Sequence, residues 1–166
     1  MRSKHVYSLV FSAMLASLVF VATWIMIPAP IGNVNLGDAV LLLGAWTLGG
    51  PWATVACALG AALTDLASGY AIYAPATLLI KALMVIVAIL LHRLLSKRLP
   101  RVSLLISAIA AEVVMVLGYF LYEGIFLYGF PAALIAIPFN CIQGGVCITV
   151  AFTLSFVLKK APLFKK

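Results

Sequence analysis

Charge is what this sequence has least of. Asp, Glu, Lys and Arg make up 9% of its 166 residues, and Asp and Glu together number four. An ordinary soluble domain is roughly 45–50% apolar and about 25% charged; here 66% is hydrophobic and the mean hydropathy is +1.23. That leaves too little polar surface to coat a globule in water. Soluble enzymes, nucleic-acid binders and disordered chains are therefore excluded as readings of the +7 net charge. Cysteine is scarce too. Cys57, Cys141 and Cys147 all sit in apolar runs, without a CxxC or a Cys/His cluster, so neither a disulfide framework nor a zinc site is suggested. GxxxxGK[ST], HExxH and GxSxG are all missing. The chain itself therefore has no phosphate-cradling loop, zinc-hydrolase helix or nucleophile elbow, and neither catalysis nor a cofactor is expected of it. What remains is a polytopic membrane protein of at most about six or seven spans.

Turn residues divide the apolar sequence. Pro28, Pro30 and Gly32 end the first run, and Gly49–Gly50–Pro51 makes a tight turn. Loops follow at 69–74, at 96–101 and at 123–131. The spacing predicts an all-α bundle of six transmembrane helices in one domain, at about 6–27, 39–48, 52–68, 76–95, 102–122 and 132–158. The first run is longer than the roughly 7–15 residues of a signal h-region, so it reads as a retained helix. Asp38 is expected to cap helix 2, which is short enough to require tilt or a thinned bilayer. Pro138 is a possible kink in helix 6.

The cations give an orientation. Ten of the eleven lie in three places: Arg2 and Lys4; Arg93, Lys97, Arg98 and Arg101; and Lys159, Lys160, Lys165 and Lys166. With six spans all three clusters fall on one face, and the positive-inside rule makes that face cytoplasmic, termini included. The loops at 28–37, 69–74 and 123–131 contain no Lys or Arg. Five or seven spans would divide the cations between the two sides.

Lys81, the eleventh cation, lies inside an apolar run, as do Asp65, Glu112, Asn140 and Gln143. A charge at the bilayer centre costs roughly 2.5–3.5 kcal/mol on insertion scales, so a buried ionisable group is a functional candidate by default. Glu112, Val116, Tyr119 and Glu123 share one face of helix 5, and Asn140 and Gln143 share one face of helix 6. With Asn33, Asn35, Asp38, Tyr70, Tyr73 and Tyr128 from the outer loops, they describe a cup open to the outside. Aromatic and amide walls suit a small, flat, polar organic molecule. The candidate substrate-binding residues are Lys81, Asn140, Gln143, Tyr119, Glu112, Asn35, Tyr70 and Tyr73. Each has a plainer reading. Lys81 pairs structurally with Asp65 or Glu112, the amides join helices, and the tyrosines belong to an interfacial belt. Small residues at Ser12/Ala16 and Ala13/Ser17 give helix 1 two smooth ridges, for packing within the bundle or for docking a second membrane subunit.

The stretches NVNLGDAVLLLG (33–44), TDLASGYAIYAPATLLIK (64–81) and IPFNCIQG (137–144) carry a resemblance. Over about residues 6–158 the chain resembles the substrate-binding S component of an energy-coupling factor (ECF) vitamin transporter, of the riboflavin-type family with its pyridoxine and hydroxymethylpyrimidine carriers. The resemblance implies a multi-pass protein of the bacterial cell membrane that takes its vitamin from outside, between helices 4, 5 and 6. The helix 1–2 loop would act as a lid. It also implies partners: a transmembrane coupling subunit, met through an A-x-x-x-A motif on helix 1, and two cytoplasmic ATPases. Here Ser12/Ala16 and Ala13/Ser17 stand at that motif, each with one Ser for Ala. Pyridoxine or hydroxymethylpyrimidine is the first expectation for the ligand and riboflavin the next. The rival readings are a stand-alone proton- or ion-coupled carrier using Lys81, Asp65 and Glu112, and a structural subunit without transport.

Overall fold

The computed structural model describes residues 2–30 and 33–160. Gly32, Lys165 and Lys166 lie outside the described residues, as do the side chains of Arg2, Lys4, Arg101, Lys159 and Lys160. Six α-helices follow in chain order: α1 (Arg2–Trp24), α2 (Gly37–Thr47), α3 (Gly50–Ala67), α4 (Ala74–Ser96), α5 (Pro100–Tyr122) and α6 (Phe130–Lys160). Prolines in the first turns of α3, α4 and α5 fit positions whose N–H has no intrahelical partner. Among the described residues, four stretches are long and apolar enough to cross a bilayer: His5–Trp24, Ala74–Ser96, Val102–Leu127 and Phe130–Leu158. α2 has 11 residues and spans about 16 Å, roughly half a hydrocarbon core.

The interior is made of small side chains. Ala39, Ala45, Ala53, Cys57, Ala61, Ala88, Ala108, Ala111 and Ala151 are buried, while Leu79, Leu94, Leu117, Leu134 and Val157 face outward. This distribution suits lipid, where apolar bulk gains nothing by hiding and helices associate through close backbone approach. α1 and α3 approach each other backbone to backbone. A Cβ on Gly60 would stand 2.4 Å from the Ala16 carbonyl oxygen. Gly60→Ala is therefore expected to push α1 off α3 and cost about 1–3 kcal/mol, read as a lower unfolding temperature in detergent.

Two elements differ from the sequence expectation. The loop after α1 holds a small antiparallel hairpin, β1 (Met26–Pro28) with β2 (Asn33–Asn35), in the register Met26↔Asn35, Ile27↔Val34 and Pro28↔Asn33. After α5 the chain makes a π-helical turn, Glu123–Leu127, where an open loop was expected. At one end of the bundle the hairpin, the turn at 68–73 and the π-turn come together around a cleft. At the other end, the Arg93 guanidinium of α4 approaches Gly49 in the α2–α3 turn.

Candidate functional site

Asp38 organises the base of the cleft. The sequence suggested a helix cap, but the cap position of α2 belongs to Leu36, which has no side-chain capping bond. Asp38 lies inside the first turn, 1% exposed, where the helix dipole favours an anion. Its Oδ1 is 2.6 Å from the Lys81 ammonium, and its Oδ2 accepts a 2.6 Å hydrogen bond from Gln143 Nε2. Lys81 thus pairs with Asp38, not with Asp65 or Glu112. α4 delivers the lysine from seven residues into the helix, about 10 Å from its start. The ammonium lies 5.4 Å from the centre of the Tyr119 ring, close enough for a cation–π contact.

The network continues to the hairpin. Gln143 Oε1 accepts from the Asn35 backbone N–H at 2.9 Å, and Asn35 Oδ1 accepts from the Gly37 N–H at 2.9 Å. Cys147 Sγ donates weakly to the Asn35 carbonyl at 3.4 Å. One amide side chain on α6 therefore ties the hairpin to the buried ion pair. A buried charge is tolerated when it is paired and its remaining hydrogen-bonding positions are filled. Asp38 meets both conditions.

Above this base the cleft opens outward, with about 530 Å³ of empty space once its open mouth is counted. Asn33 and Asn35 of the hairpin, Thr23 and Met26 beside them, Asn140 and Gln143 of α6, and Tyr119 of α5 line it. Asp65, Tyr70, Tyr73 and Thr77 line the α3–α4 side, and Glu123 closes the far wall. Gly69, with φ of +87°, ends α3 in a left-handed turn, letting the Tyr70 N–H reach the Asp65 carbonyl at 2.8 Å. This turn presents both tyrosines to the cleft. The Tyr73 hydroxyl lies 3.3 Å from Glu123 Oε1 and 3.4 Å from the Tyr128 hydroxyl. Burial first, then these neighbours, push the Tyr73 phenol up from its ordinary value, which keeps it a proton donor. Thr77 Oγ1 and the Tyr119 hydroxyl are 2.9 Å apart.

Of the residues expected to form the site, Asn35, Tyr70, Tyr73, Tyr119, Asn140 and Gln143 line this cleft. Lys81 sits beneath it in the ion pair. Glu112 is elsewhere: 5% exposed, it lines an apolar groove between α5 and α6 and packs on Gly144. Glu112 is seven residues, about 10 Å, from Tyr119 along α5. The two small-residue ridges of α1 also part company. Ser12 is buried and Ala16 half-buried against α3, so that ridge packs inside the bundle. Ala13 and Ser17 are exposed, and the Ser17 hydroxyl bonds back to the Ala13 carbonyl at 3.0 Å. Thr23, Met26, Thr77 and Glu123 join the cleft unforeseen. Glu123 alone had given a signal, its place on the helical face of Tyr119.

The family model described as ECF-type riboflavin transporter, S component, matches residues 3–160. A solved S component of a bacterial ECF transporter superimposes with a TM-score of 0.76 at 25% identity, each chain covered over 100% of its length. No curated protein sequence matches. With nearly its whole length matched, the chain belongs to the ECF-type riboflavin transporter S-component family, membrane subunits that bind a transporter's substrate and are not enzymes.

Proposed function

We propose that this chain captures a small, flat, water-soluble vitamin from outside a bacterial cytoplasmic membrane in the cleft beneath the β1–β2 hairpin. It then passes the vitamin inward in company with a transmembrane coupling subunit and two cytoplasmic ATPases. The observation that carries this is the cleft itself. Tyrosine and amide walls meet over a floor in which Gln143 joins the hairpin to the Asp38–Lys81 pair. Tyr rings supply faces for stacking, and Asn and Gln supply both donors and acceptors. The six helices all cross the membrane in this reading, α2 as a tilted partial span. The three basic clusters and both termini then face the cytoplasm. The exposed Ala13/Ser17 ridge of α1 is the surface offered to the coupling subunit.

The sequence alone put pyridoxine or hydroxymethylpyrimidine ahead of riboflavin; we now rank riboflavin first because the matched family is described by it. Riboflavin has a flat ring to stack on Tyr119 and a polyhydroxyl chain to meet Asn140, Asp65 and Glu123. Mass spectrometry of small molecules released from the purified protein tests this. Riboflavin, or one of the two smaller compounds, is expected at near-stoichiometric amount. A protein that retains none of them, and binds none when they are added, would remove the reading. Co-purification of ATPases with a tagged chain separates it from a stand-alone carrier.

A further inference from the structure

Once the ion pair is accounted for, the polar atoms of the cleft are unbalanced. Among the described residues no Lys or Arg lines it, while two carboxyls, Asp65 and Glu123, do. The sole nearby cation, Lys81, lies beneath the floor with Asp38 against it at 2.6 Å. Glu123 is 3% exposed, and although its Oε1 is near the Tyr73 hydroxyl, its Oε2 has no hydrogen-bond partner. Asp65 Oδ2 likewise has none, although the Thr77 hydroxyl lies beside the carboxyl. A buried carboxyl oxygen without a partner is costly, and native structures retain few of them. Glu123 also begins the π-helical turn, whose Tyr128 N–H closes onto the Glu123 carbonyl at 2.8 Å. π-Helical turns are frequent at functional sites, and this one ends α5 at the edge of the cleft.

We infer that Glu123, assisted by Asp65, makes the cleft selective for a ligand that offers hydrogen-bond donors and carries no negative charge, so that the free vitamin enters and its phosphate ester is turned away. The inference rests on the vitamin-binding reading above and assigns its specificity. Hydroxyl groups of the ligand complete the two unpartnered oxygens. A phosphate in their place sets negative charge against both carboxylates, and the nearest cation among the described residues, Lys81, is already neutralised by Asp38. Unit charges about 6 Å apart at an effective dielectric of about 20 shift affinity by roughly 100-fold.

The experiment titrates the full chain in detergent with riboflavin and with riboflavin 5′-phosphate, followed by quenching of flavin fluorescence, and with pyridoxine and its 5′-phosphate by calorimetry. For whichever free vitamin binds, the ester is expected to bind about 100-fold more weakly. Glu123→Gln is expected to narrow that ratio at least about tenfold, and Asp65→Asn to narrow it further. Loss of packing alone would weaken both members of a pair together and leave the ratio unchanged, which would overturn the inference. So would an ester that binds the wild-type chain as tightly as the free vitamin, although the cleft would then still be a vitamin site. No binding by either free vitamin would overturn the reading of the cleft and the inference with it.

Discussion

Lys81→Ala is expected to lower the unfolding free energy of the detergent-solubilised chain by about 3–5 kcal/mol, the usual result of stranding one member of a buried ion pair. The substitution removes the cation 2.6 Å from Asp38 and leaves that carboxylate 1% exposed, with only Gln143 to stabilise it. The double variant Lys81→Met, Asp38→Asn should recover most of the loss. It is close to the native volumes, carries no buried charge, and keeps an amide oxygen at position 38 for Gln143 Nε2. Denaturant titration of the three proteins in mixed micelles measures this. A single variant as stable as the wild type would mean that the pair does not hold the floor of the cleft. The double variant also separates support from contact. Lys81 lies under the floor, so ligand affinity within about tenfold of wild type is expected once the charges are removed together. A folded double variant that has lost binding would show the ammonium reaching the ligand itself.

That experiment depends on a contact the sequence did not reveal, and the reason is physical. Apolar runs and their Pro and Gly boundaries mark helices because hydrocarbon demands long, internally bonded segments. The six elements were therefore legible, to within a few residues at their ends. The convergence of Tyr119, Asn140 and Gln143 was legible too, since all three are polar groups at similar depth near one end of a small bundle. Which cation meets which anion was not. Asp38 is 43 residues from Lys81 and 105 from Gln143, and in sequence it stands where Asp usually caps a helix. Helical periodicity fixes azimuth but says little of depth, which is why Glu112 was grouped with Tyr119 and found one level away in the α5–α6 groove. The hairpin escaped notice because strands of three residues, one of them containing Pro28, carry no alternation to read. The π-turn at Glu123 likewise leaves no mark in the pattern of apolar residues.

Gln143 is where these separate pieces meet, and Gln143→Leu should have the largest effect on binding of any change that leaves the ion pair in place. The leucine is near the glutamine in size, and Gln143 is 3% exposed, so the helix should pack with little disturbance. Two hydrogen bonds disappear together: the charge-assisted one to Asp38 Oδ2 and the one from the Asn35 N–H. The first is worth about 1.5–3 kcal/mol and the second about 1 kcal/mol to the closed hairpin, so a ligand that binds only the closed form loses up to roughly 100-fold in affinity. The kinetic division of that loss is informative. If the hairpin is the lid over a bound vitamin, its release from α6 speeds escape, and most of the change should appear in the dissociation rate followed by stopped-flow fluorescence. An equal slowing of association with unchanged dissociation would place Gln143 in the entry path and leave the hairpin without a closing role. Gln143→Glu discriminates further, because a carboxyl at that position faces Asp38 Oδ2 where Nε2 now donates. It should bind more weakly than Gln143→Leu at neutral pH and recover as the pH falls and protonation restores a donor.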